Sequence, residues 1–146
     1  MRKYRYRIDK DGGFWHEGTE VRDANVISFF LRGLKRTEDG RLVVMCAGEE
    51  NEVLADDVPY VVRMIEFTED GVTLLFAGNF REALDPETLR VGEENVLYVK
   101  VRKGAFDARF TRPAYMKLSE KIAETSKGYV LKLGKKAYPI AGRTTP

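Results

Sequence analysis

The chain has 146 residues, 43% of them hydrophobic and 33% charged, with a net charge of +2, one cysteine and one histidine. That length is one domain, or two small ones sharing a core, and it buries enough surface to need no covalent staple. An internal disulfide, a cysteine-rich zinc site and a His-pair zinc site are excluded, and no apolar run approaches the ~18 residues that span a bilayer.

The opening MRKYRYRID is basic but has no apolar stretch behind it, so it does not read as a secretory signal; with the lone cysteine, this places the chain in the cytoplasm. Tyr4, Tyr6 and Ile8 alternate with Arg5 and Arg7, the period of a half-exposed strand. Residues 9–13 carry turn chemistry, and residues 14–16 (FWH) return as a second strand. Asp23 is placed to cap a helix whose Ile27, Phe30, Leu31 and Leu34 share one face, with Lys35 and Arg36 as its basic last turn. Residues 41–47 and 52–55 are short enough to be strands, and Cys46, in LVVMCAG, reads as a core residue. The first 57 residues thus form one strand-strand-helix-strand-strand unit.

Pro59 marks the start of the second half. ADDVPYVVRMIEF, TEDG and VTLLF have the signature of a hairpin. Residues 79–91 have few regular signals and read as a loop pinned by Leu84, Leu89 and Val91. Strands at 96–101 and 106–111 follow. Pro113 ends the ladder, Thr111 caps a second helix, and Tyr115, Leu118, Ile122 and Thr125 fall at helical spacing, so the helix is expected to reach Lys127. Two short apolar runs, 129–133 and 137–140, close the order. The expected fold is α+β, with two such units in tandem and mostly antiparallel sheets: an N-terminal subdomain over 1–57, a C-terminal one over 58–140, and a flexible tail over 141–146.

Charge is unevenly distributed. Residues 1–36 hold nine Lys/Arg and five Asp/Glu, residues 37–99 hold four and fifteen, and residues 100–146 hold twelve and three. Either the basic end attracts an anionic partner or the acidic middle neutralises it.

No catalytic constellation, phosphate-binding glycine loop or calcium loop is present. His16 is read as a surface or cap residue, and Glu49, Glu50, Glu52, Asp56 and Asp57 as a solvated acidic edge. No metal or cofactor is expected. Arg109 and Arg112 flank the point where a strand becomes the second helix, and with Tyr115 they form a candidate anion site. The competing reading pairs Arg109 with Asp57.

YRIDKDGGFWHEG, ADDVPYVV, FAGN and ARFTRPAYMKL, in this order and spacing, resemble an uncharacterised, mainly bacterial family, domain of unknown function twelve-eighty-five. The resemblance implies an internally duplicated α+β protein whose second half is like a pleckstrin-homology barrel, with a ligand site at the junction of the halves suited to a nucleotide-like ligand and a signalling role. It points to Asp57, Pro59, Tyr60, Asn79, Arg109, Arg112 and Tyr115. The family pattern is acidic after Asn79, whereas this chain has Phe80 and Arg81, which makes the site more positive.

The expected function is a non-enzymatic module that binds a small anionic or nucleotide-like ligand between its halves. Arg109 and Arg112 would hold the charge, Asn79 would hydrogen-bond, Tyr115, Tyr60 or Trp15 would stack on the ligand or wall the site, and Asp57 and Arg81 complete the candidate residues. The alternatives are a protein-interaction module and nucleic-acid binding through the basic C-terminal segment.

Overall fold

A computed structural model describes residues 4–142. In chain order the elements are β1 (Tyr4–Ile8), β2 (Phe14–His16), β3 (Thr19–Glu20), α1 (Ala24–Gly33), β4 (Lys35–Arg36), β5 (Leu42–Cys46), β6 (Glu49–Ala55), β7 (Tyr60–Val62), β8 (Met64–Phe67), β9 (Val72–Leu75), β10 (Arg81–Ala83), β11 (Arg90–Val91), β12 (Leu97–Val101), β13 (Phe106–Phe110), α2 (Arg112–Leu118), β14 (Ile122–Thr125), β15 (Gly128–Leu133) and β16 (Lys136–Pro139). The class is α+β, dominated by strands.

The first half is a six-stranded sheet in the order β3-β2-β1-β6-β5-β4. Only β1 and β6 run parallel, with Tyr6 opposite Val53. The alternation read in β1 is what the sheet uses: Ile8 is buried and Arg5 and Arg7 are exposed. Asp23 caps α1 by accepting the backbone N–H groups of Asn25 and Val26. The helix lays Ile27, Phe30 and Leu31 into the core, and Phe30 packs 4.5 Å from the Tyr6 ring and 5.3 Å, edge-on, from Phe14.

The second half comprises three sheets, β11-β12-β13-β7, β10-β9-β8 and β14-β15-β16, and none of them closes into a barrel. The chain switches sheets at Arg63. Tyr60, Val61 and Val62 run parallel to β13, while Met64 onward pairs with β9. At the switch, the Arg63 N–H donates to the Leu75 carbonyl (2.8 Å) and the Thr111 hydroxyl donates to the Arg63 carbonyl (3.2 Å). Arg63 is thereby fixed at the edge of the second half, facing the first.

One clamp joins the halves at the C-terminal end of α1. The orphan carbonyls of Leu31 and Leu34 accept from the guanidinium of Arg102, some seventy residues away, and the Tyr60 hydroxyl donates to the Leu31 carbonyl. Arg102 also donates to the Tyr60 oxygen (3.0 Å) and lies 5.2 Å from the Phe106 ring centroid. Burial pushes the Tyr60 hydroxyl above its ordinary pKa, and the nearby Arg102 charge opposes that rise.

Several expectations need correction. Lys35 and Arg36 lie past the end of α1, in β4, because the chain becomes extended at Leu34. The second helix ends at Leu118, tightens to a 3-10 turn over Ser119–Lys121, and gives way to β14, so Ile122 and Thr125 belong to a strand. Thr111 does cap that helix, by accepting the Ala114 N–H. Residues 79–91 are not a bare loop: they hold β10, a 3-10 turn over Pro86–Thr88 and β11, and Leu84 and Leu89 are buried as expected. Cys46 is exposed, since β5 ends there in a turn with positive φ at Ala47 and Gly48. His16 is half-buried and stacks 4.5 Å from Tyr6. Of the tail, Ala141 is tied down by bonds with Leu89 and Val91; residues 143–146 lie outside the described residues.

Candidate functional site

Two clefts open between the halves, one at each end of α1. At the N-terminal end, the turn residues Gly12 and Gly13 and the helix residues Ala24 and Ile27 face Arg63, Gly78 and Asn79 across a cleft of about 260 Å³. Two glycines let these walls approach. Gly78, at φ 69°, sits so close to α1 that a Cβ would stand 2.8 Å from the Ile27 side chain, and Gly12, at φ 87°, packs on the aliphatic stem of Arg63. Asn79 continues the left-handed turn at φ 57°, which asparagine tolerates better than most residues.

The Arg63 guanidinium has no ion-pair partner among the described residues. Arg22, on the same cleft, is paired with Glu20 at 2.6 Å. Asp23 already takes the N–H groups of Asn25 and Val26, so the helix end contributes few free donors. Arg63 is therefore the principal uncommitted charge in this cleft.

At the other end of α1, an open cleft of about 700 Å³ is lined by Arg32, Arg81, Lys100, Arg102 and Lys103, with Glu82, Asp85 and Phe80. Arg102 and Lys103 have positive φ (52° and 59°), and the carboxylate of Glu82 holds the turn by accepting the Arg102 backbone N–H at 2.9 and 3.0 Å.

The residues singled out from the sequence do not converge. Arg109 donates to Asp57 at 2.8 Å, and the same carboxylate accepts the Tyr98 hydroxyl at 2.6 Å. The competing reading of Arg109 is therefore the one observed. With its side chain only 16% exposed and its Nε without a partner, Arg109 is a packed structural residue. Arg112 and Tyr115 are exposed on α2 and line neither cleft. Tyr60 is 0% exposed and cannot stack on a ligand, because all three residues of β7 are core. Trp15 is half-buried and donates its indole N–H to Asp9 at 2.8 Å. Asn79 lines the smaller cleft and Arg81 the larger.

Arg63, Arg102 and Lys103 were not identified from the sequence. The one available signal was Arg63 itself, a lone charge interrupting the apolar run YVVRMI. The 102–103 turn gave no signal, because its partners are remote in sequence.

Four acids of the middle segment pair with cations of the first half. Glu52 pairs with Arg5, Asp56 with Arg7, and Asp39, Glu50 and Glu52 surround Arg41. The hydrogen bond from Arg7 is the main reason Asp56 is held below the usual carboxylate range. By contrast, Arg112, Lys117, Lys127, Lys132, Lys135 and Lys136 have no ion-pair partner among the described residues. Among the described residues the basic end is neutralised only in part, at Lys100 by Asp107 and at Arg109 by Asp57. No cluster that could hold a metal occurs among the described residues, and no helix among them is long and apolar enough to cross a membrane.

No protein-family model and no curated protein matches the chain. Two solved structures are similar to it. A DUF1285 family protein from Silicibacter pomeroyi DSS-3 is 20% identical, with a TM-score of 0.74 over 96% of this chain and 82% of the other. A DUF1285 family protein from Shewanella baltica OS155 is 14% identical, with a TM-score of 0.62 over 79% of this chain and 90% of the other.

Proposed function

We propose that this chain, which has the fold of the DUF1285 proteins, is a non-enzymatic module that holds a small anionic, nucleotide-like ligand in the glycine-lined cleft between its halves, in a signalling role. The observation that carries this reading is Arg63: an arginine whose backbone is fixed at the junction and whose side chain has no ion-pair partner among the described residues, opposite Asn79 and the turn of the first half. A guanidinium binds a phosphate or carboxylate with two parallel hydrogen bonds, and Asn79 supplies a further donor and acceptor. The volume falls just below the ~300–1,000 Å³ of ordinary small-molecule sites, which favours a monophosphate-sized ligand over a dinucleotide. The same reading treats the halves as duplicated units, since two strands, a helix and further strands recur at either end of the chain. A pleckstrin-homology-like relation for residues 58–140 belongs to the proposal as well.

Thermal unfolding with orthophosphate, AMP and GMP tests it. A ligand at a hundred times its Kd adds roughly 2.7 kcal/mol of stability, and Arg63→Ala removes that gain. No stabilisation by any of these anions, or one that survives Arg63→Ala, overturns the proposal. A second reading, nucleic-acid binding, is favoured by the unpaired cations of residues 112–142. It requires affinity for single-stranded oligonucleotides that falls steeply with salt, and a flat salt response removes it.

A further inference from the structure

The cleft at the C-terminal end of α1 differs in kind from the one around Arg63. It draws cations from three separate places: Arg32 from α1, Arg81 from β10, and Lys100, Arg102 and Lys103 from β12 and the turn after it. The lining carries these five cations against two carboxylates, Glu82 and Asp85. Glu82 spends both oxygens on the Arg102 backbone N–H, and Asp85 accepts the Glu87 N–H at its own 3-10 turn.

Four of the five cations have weak or neutral partners. Arg102 is fixed by carbonyls and a hydroxyl, which position a guanidinium without neutralising it. Arg32 bonds only a carbonyl of its own helix, that of Ser28, and Lys103 is exposed with no acidic partner among the described residues. Arg81 meets Glu66 at 3.2 Å with both side chains more than half exposed, a pair of the kind that exchanges readily. Only Lys100 has a close acid, Asp107 at 2.9 Å.

Two further features accompany the charge. The chain adopts left-handed backbone at two consecutive non-glycine residues, Arg102 and Lys103, at the lip. That conformation is costly and persists only where its surroundings enforce it, as the Glu82 carboxylate does here. Phe80, half-buried and 5.3 Å from Phe76, supplies one apolar wall beside the cations. Several positive side chains about one space of some 700 Å³, with Arg102 held in place among them, match an extended run of phosphoryl groups better than a single one.

We infer that this cleft is a second binding site, for an oligophosphate: either the phosphoryl chain of a nucleoside di- or triphosphate or a free inorganic oligophosphate. The site is independent of the Arg63 cleft. Calorimetric titration of the full chain with inorganic tripolyphosphate, with ATP and with orthophosphate is the test. Saturable one-to-one binding of tripolyphosphate is expected, with orthophosphate at least about tenfold weaker. ATP binding tighter than tripolyphosphate assigns the site to nucleotides, and equal affinity assigns it to the phosphoryl chain alone.

The double variant Arg81→Gln, Lys103→Gln alters two exposed side chains and is expected to bind tripolyphosphate at least about tenfold more weakly, at an unchanged melting temperature. Arg63→Ala is expected to leave this binding intact, so failure of the smaller site and failure of this one read out separately. The inference is overturned by absent tripolyphosphate binding at low salt, or by binding that the double variant leaves unchanged. It is also overturned if a single-stranded oligonucleotide binds and tripolyphosphate fails to compete, which would make the surface a nucleic-acid site.

Discussion

Two arginines at opposite ends of the β12–β13 hairpin show how the choice of partner decides what a charge can do. Arg109 meets a carboxylate, Asp57, and its charge is consumed inside the fold. Arg102 meets carbonyls and a hydroxyl, which orient it while leaving its charge uncancelled. Both are well packed. Only the second projects a field into a cleft, so an arginine beside an acid is poor evidence for an anion site, whereas one used as a helix cap still carries charge that a ligand can use.

The largest expected effect comes from breaking the cap. Arg102→Ala removes the guanidinium from the α1 terminus and strands the Leu34 carbonyl, while Leu31 keeps its bond from Tyr60, at a cost of about 2–3 kcal/mol in chemical denaturation. A loss below about 0.5 kcal/mol would mean that the two arginines do not differ as described.

The Asp57 side of the comparison is sharpened by Asp57→Asn, which leaves a partly buried guanidinium without its counter-charge and costs about 1–2 kcal/mol. Its spectroscopic signature is Tyr98. Burial, then the bond to Asp57 and the charge of Asp57, push this hydroxyl from 10.0 up to about 12. A phenol raised in the folded state binds its proton more tightly there than in the unfolded chain. Its contribution to stability is therefore complete below pH 10.0 and lost as pH rises towards about 12. Ultraviolet titration should show Tyr98 ionising late in the wild type, alongside the buried Tyr60, and one fewer late-ionising tyrosine in Asp57→Asn. No change would contradict the pairing.

The smallest effects belong to the residues that the sequence placed highest. Arg112→Ala and Tyr115→Ala touch neither cleft, and each should alter stability by less than about 0.5 kcal/mol and leave anion binding unchanged.

What the sequence disclosed was mostly local. The Asp23 and Thr111 caps, the alternation of β1, the β8–β9 hairpin and the anchoring leucines at 84 and 89 each depend on neighbours a few residues apart, and each was legible. The end of α2 was misread because Ile122 and Thr125 satisfy a helical period and a strand alternation equally well over so short a span. The assignment of Tyr60 to a ligand failed for a different reason. In YVV every residue is buried, and a short apolar run does not show which face, if either, meets solvent. The clefts were out of reach because each is built from segments tens of residues apart. Only Asn79 and Arg81 among the proposed site residues proved to line one.

The central claim is that anions bind where the halves meet, at uncommitted cations, and not at the strand-to-helix corner that carries Arg109. Backbone amide chemical-shift mapping of the labelled chain during titration with AMP tests it most directly. Shifts concentrated at Gly12, Gly13, Gly78 and Asn79 are predicted, with residues 109–115 unmoved. Shifts centred on residues 109–115, with the glycine-lined cleft silent, would contradict it.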